Sequence, residues 1–125
     1  MTGVNGAVIA VKDMAIAKNF YVTLGFEVEK DYPSFIGFKP AEGAVTLGLY
    51  PREGLEKKVG LTSVNGWSGV MLNLNPADRS RCDEIVQLAV SAGGKVLNPP
   101  RDTEWGGRVA HFSDPDGYIW QVAAS

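Results

Sequence analysis

Two stretches of the chain are written in one pattern, and that repetition limits the fold more than any single residue. Gly6 to Phe26 reads as an alternating strand, Gly-Ala-Val-Ile-Ala-Val-Lys, followed by Asp13 and a helical run through Phe20 and Leu24 to Gly25. Gly69 to Gly94 repeats the order with Gly-Val-Met-Leu-Asn-Leu-Asn, then Asp78, then a helical run through Ile85 and Ala89 to Gly93. Further strand-like segments follow each unit, so the chain parses as βαβββ written twice. A duplication of this size points to two modules closing one core, with a cleft where they meet. The module limits fall at about 1–50 and 67–125, with 51–66 as the connector.

Asp13 and Asp78 each stand where a carboxylate accepts from the free amides of a first helical turn. Ile16, Ala17, Phe20, Tyr21 and Leu24 recur at helical spacing, as do Cys82, Ile85, Val86, Ala89 and Ala92. In the first module the remaining strands are expected at Glu27 to Tyr32, Phe35 to Lys39 and Val45 to Tyr50. In the second they are expected at Lys95 to Leu97, ended by a turn at Asn98-Pro99-Pro100, and in a hairpin of Arg108–Ser113 with Tyr118–Ala123. Strands with one helix per module make the class α+β with a mixed, mainly antiparallel sheet.

Composition removes several functions. The 12 Lys and Arg residues are scattered through a chain of net charge −2, without the basic stripe of a nucleic-acid binder. The single cysteine, Cys82, excludes an intrachain disulfide and any multi-cysteine metal site. No apolar run approaches the ~20 residues of a membrane helix, and the opening residues lack a signal-peptide pattern. The expectation is a cytoplasmic domain without nucleic-acid or membrane partners. No Gly-rich phosphate loop is present, since Gly93-Gly94 and Gly106-Gly107 follow the wrong elements.

Val-Lys-Asp-Met followed by Lys18-Asn19-Phe20-Tyr21 and Leu24-Gly25-Phe26 resembles the opening of the vicinal-oxygen-chelate superfamily, the group of glyoxalase I, bleomycin-resistance proteins and extradiol dioxygenases. Trp105-Gly106-Gly107 and Phe112-Ser113-Asp114-Pro115-Asp116-Gly117-Tyr118-Ile119-Trp120 resemble its last hairpin. The resemblance implies paired βαβββ modules forming a curled, U-shaped sheet with helices outside and a ligand cavity inside. It also implies a divalent metal held by side chains from the first and fourth strands of each module. Carried over, those positions are Gly6, Gly48, Gly69 (or Ser68) and Gln121. Three glycines and one amide fall short of the three or four strong donors a transition-metal site wants, so no metal and no other cofactor is expected.

Strand parity places Gly6, Val8, Ala10, Thr46, Gly48, Tyr50, Gly69, Met71, Asn73, Ile119, Gln121 and Ala123 on the cavity side. Pairing Ser113 with Tyr118 across the hairpin adds Arg108, Ala110 and Phe112. It turns His111 away beside Trp120, onto the helix-covered face, where a packing or surface role is expected for His111 and a core role for Trp120. Trp67 and Trp105, in loop-like segments, are candidates for an aromatic wall. Asp114 and Asp116 read as turn chemistry. The candidate ligand-binding set is Tyr50, Trp67, Met71, Asn73, Trp105, Arg108, Phe112 and Gln121, with no catalytic residue assigned.

Three functions are open at this point. The first is metal-independent binding of a small apolar or aromatic ligand. The second is a glyoxalase-like lyase or dioxygenase-type enzyme, its site completed by a second chain if a metal is used. The third is an interaction module without a ligand. Superfamily resemblance also implies a homodimer.

Overall fold

A computed structural model describes residues 3–60 and 69–125. The chain divides into two compact units, Met1–Asn65 and Gly66–Ser125. Each holds a four-stranded mixed sheet with helices, which is the α+β, twice-βαβββ architecture expected from the repeat.

In the first unit β1 (Gly6–Val11) leads into α1 (Met14–Leu24), followed by β2 (Val28–Tyr32), β3 (Phe35–Phe38) and β4 (Thr46–Pro51). The sheet order is β1-β4-β3-β2, with β1 and β4 parallel and the rest antiparallel. Asp13 caps α1, its Oδ1 accepting from the Ile16 amide at 3.0 Å, and Gly25 ends it at φ 110°. Ala17, Phe20, Tyr21 and Leu24 are buried, as are Ile9, Val11, Leu47 and Leu49 of the sheet. Tyr21, Phe26 and Phe38 add a ring cluster with centroids 5.5–5.8 Å apart. The expected connector differs from its sequence reading. β4 runs into α2 (Arg52–Val59), an eight-residue helix ended by Gly60, and 61–66 lie outside the described residues.

The second unit repeats the order with β5 (Met71–Leu74), α3 (Arg79–Ser91), β6 (Lys95–Asp102), β7 (Arg108–Ser113) and β8 (Ile119–Ala124), arranged β5-β8-β7-β6. Cys82, Ile85, Val86 and Ala89 of α3 are buried with Ala110, Phe112, Trp120, Val122 and Ala124. Asp78 stands at the N-cap of α3 but its side chain makes no cap bond. β6 also differs from expectation, continuing through Asn98-Pro99-Pro100 instead of turning there. An outer strand tolerates prolines, because one side of it needs no ladder partner, and the register shifts on both sides of Asn98 absorb them.

Candidate functional site

The face of the second sheet is decided by the loop between β7 and β8. Asp114 Oδ1 accepts from the backbone amides of Asp116 (3.0 Å) and Tyr118 (2.8 Å), and the Asp114 amide donates to the Tyr118 carbonyl at 2.9 Å. These bonds draw Tyr118 into the loop, so Ser113 pairs with Ile119 and not with Tyr118. A one-residue slip moves a whole strand's side chains to the opposite face. Arg108, Ala110 and Phe112 therefore pair with Ala124, Val122 and Trp120 on the helix-covered face, which corrects their assignment to the cavity side. His111 moves the other way and stands opposite Gln121.

That move completes a row of polar side chains across all four strands. Asn98 on β6 lies 3.3 Å from His111 Nδ1 on β7, and His111 Nε2 lies 3.0 Å from Gln121 Oε1 on β8. Gln121 Nε2 donates to Asn73 Oδ1 on β5 at 3.0 Å. The donor sense is continuous when His111 carries its proton on Nε2: Asn98 gives to His111, His111 to Gln121, Gln121 to Asn73. Met71 pairs with Ile119 on one side of the row, and Ala123 follows on the other, so apolar side chains flank it. Sequence reasoning placed Met71, Asn73 and Gln121 on this face but missed His111 and Asn98. The missed signal is the side chain of Asp114, whose turn-forming bonds lengthen the loop by one residue.

The first unit carries the equivalent row and fills it differently. Lys30 pairs with Gly37, Gly37 with Gly48, and Gly48 with Val8, matching Asn98, His111, Gln121 and Asn73 strand for strand. The ring of Phe35 lies over the two glycines, and a Cβ added at Gly48 would stand 2.6 Å from it. Tyr50 packs on Phe35 with centroids 5.2 Å apart, and Lys58 of α2 donates to the Tyr50 hydroxyl at 3.0 Å. Val8 remains 48% exposed beside them.

The other candidates separate from the row. Arg108 makes a two-pronged ion pair with Asp83 of α3, Nε to Oδ2 at 2.7 Å and a terminal nitrogen to Oδ1 at 2.9 Å, and a third bond to Asp102 at 3.0 Å. Those hydrogen bonds hold the Asp83 and Asp102 carboxyls below their usual range and push the guanidinium higher still. Arg108 thus joins α3 to β7 and β6. Phe112 is fully buried and stacks on Trp120, centroids 6.4 Å apart. Trp105 is 63% exposed and borders a depression of about 340 Å³ with Asn75, Pro76, Ala77 and the end of β8. Gly107 has no room for a side chain there, since a Cβ would collide with the Trp105 ring and the Ala124 carbonyl. Trp67 lies outside the described residues.

The metal positions implied by resemblance do not fit a metal. Gly6 pairs with Thr46 and Met71 with Ile119, two residues before Gly48 and Gln121 respectively, so Met71 and not Gly69 is the counterpart of Gly6. Gly69, at φ 86°, precedes the strand. Neither unit supplies a donor set for a divalent cation at these positions, the first offering two glycines and the second a thioether and one amide. Among the described residues no three His, Cys, Asp or Glu side chains come together to hold one.

Solved structures share this fold over the whole chain. A glyoxalase-related enzyme from Fulvimarina pelagi superposes with a TM-score of 0.90 at 22% identity, covering 100% of this chain and 89% of that one. A glyoxalase/bleomycin resistance protein/dioxygenase superfamily member from Sphaerobacter thermophilus gives 0.71 at 29% identity, covering 100% and 98%. Lactoylglutathione lyase from Agrobacterium tumefaciens gives 0.70 at 15%, covering 100% and 95%. No curated protein sequence matches the chain. The family model for the glyoxalase/bleomycin resistance protein/dioxygenase superfamily matches residues 3–122. The chain belongs to that superfamily.

Proposed function

We propose that this protein is a metal-independent small-molecule-binding member of the superfamily, holding an apolar or aromatic compound on the sheet face of its second unit that is opposite α3. The observation that supports this reading is the Asn98–His111–Gln121–Asn73 row, flanked by Met71, Ile119 and Ala123. A few aligned polar groups on an otherwise apolar surface is how small-molecule sites fix a ligand's orientation. An acid-base role for His111 is less favoured, because both ring nitrogens are engaged.

A screen of small aromatic compounds followed by NMR of the methyl groups of Met71 and Ile119 tests the reading. Binders are expected to perturb both methyls and to lose affinity about tenfold, or 1.4 kcal/mol, in Gln121→Leu. Binders that leave these signals unmoved would refute it. Extensive chelation is expected to change neither melting temperature nor affinity, and stoichiometric zinc, nickel, manganese or iron in tag-free protein would defeat metal independence. The same reading takes the protein as a homodimer, which a monomer mass in light scattering would remove.

A further inference from the structure

We infer that the row selects a ligand carrying an uncharged carbonyl oxygen, and that His111 is a positioning residue which sets the row's polarity. This rests on the reading of that face as the ligand site. Asn73 has both amide hydrogens without a partner among the described residues, and Gln121 has one left after bonding Asn73. Two neighbouring strands therefore present spare donors side by side, and the one amide oxygen of the row that accepts no bond among the described residues, Asn98 Oδ1, lies at the opposite end. Three strand spacings of ~4.8 Å separate the two ends.

The polarity depends on one proton. With hydrogen on His111 Nε2, the chain runs towards Asn73 and ends in donors. With hydrogen on Nδ1, the same contacts are satisfied by turning each amide over, and the chain ends at β5 in the Asn73 oxygen. An acceptor on the ligand selects the first arrangement.

Charge decides between a carbonyl and a carboxylate. The donors offered at the Asn73 end are carboxamide N–H groups, so an anion settling there would exchange hydration for neutral donors alone. The cations of the outer strand, Lys95 and Arg101, are on β6, at the far edge of the sheet from Asn73. Met71 and Ile119 supply the surface for the apolar body attached to the carbonyl.

Four matched probes separate the possibilities: acetophenone, ethylbenzene, phenol and benzoate. The chain has one histidine, so 15N-histidine labelling reports His111 alone. Spectra are recorded roughly two pH units above the ordinary imidazole value, where the tautomer is read directly. Acetophenone is expected to bind about tenfold more tightly than ethylbenzene and more tightly than benzoate, and to raise the Nε2–H tautomer. Phenol, a donor, is expected to raise the Nδ1–H tautomer. Asn73→Leu is expected to abolish the preference for ketone over hydrocarbon while both still bind.

Equal binding of acetophenone and ethylbenzene, or a tautomer ratio unmoved by ketone and phenol alike, overturns the inference and leaves the site itself standing. Preference for benzoate overturns it in favour of an anion site. If none of the four perturbs Met71 and Ile119, the site reading fails and takes this inference with it.

Discussion

Trp120 and Trp105 carry one ring into opposite surroundings. Trp120 is 4% exposed and stacked on Phe112 under α3, whereas Trp105 is mostly in solvent at the end of the sheet. Trp120→Ala is expected to cost roughly 3–5 kcal/mol in urea unfolding, because it empties a closed core. Trp105→Ala is expected to stay within about 1 kcal/mol of the parent. The reverse order would place the core on the wrong side of β8. Cys82 is a second buried case. Burial first, then the Asp83 carboxylate, push its thiol above the usual value. It is expected to react with a thiol reagent in folded protein only at the rate of unfolding, so fast stoichiometric labelling would contradict its burial.

Between elements, Arg108 ties β7 to α3 through Asp83 and to β6 through Asp102. Both Asp83 and Asp102 have folded values lowered by hydrogen bonds from Arg108. Their contribution is complete above the ordinary carboxylate value, near ~3.9, and is lost as pH falls through the lowered folded values. Stability is therefore expected to be level above about pH 5 and to fall more steeply below about pH 4. Asp83→Asn should flatten that acid limb, and an unchanged limb in the variant would assign the loss elsewhere. The effect is modest, since the Asp83 side chain is 37% exposed.

The β7–β8 loop is the other connection that matters. Asp114→Ala removes the acceptor for two amides, and a loss of roughly 1–3 kcal/mol is expected. Amide exchange at Asp116 and Tyr118 should rise with it.

At the scale of the whole chain, the repeated strand–Asp–helix pattern was legible because hydrophobic periodicity is strong in both halves. What periodicity lacks is register. The duplicated glycines, Gly6 and Gly69, look equivalent, yet the ladders match Gly6 to Met71. Asp13 and Asp78 would have supplied that alignment, since each follows its matched residue by the same interval. The face of β7 was illegible for a different reason: period two is exact only if the loop length is known, and Asp114 changes that length by side-chain bonds. Arg108 and His111 exchanged faces on that one residue, and with them the reading of the site. The two prolines in β6 hid Asn98 by looking like a turn.

The ring of Phe35 over Gly48 also orders the substitutions open to this lineage. Glutamate or histidine at position 48 alone brings its Cβ to within 2.6 Å of that ring as it now lies, at an expected cost of roughly 1–3 kcal/mol. Phe35→Ala removes that clash and leaves the Ile36 carbonyl oxygen at 3.5 Å from the new Cβ, an ordinary contact distance. Melting of Gly48→Glu, Phe35→Ala and the double variant is expected to show strong positive coupling, and additive losses would show that the ring is no obstacle. Epistasis of this kind favours one order of substitution at this site: position 35 is vacated before a larger side chain fills position 48.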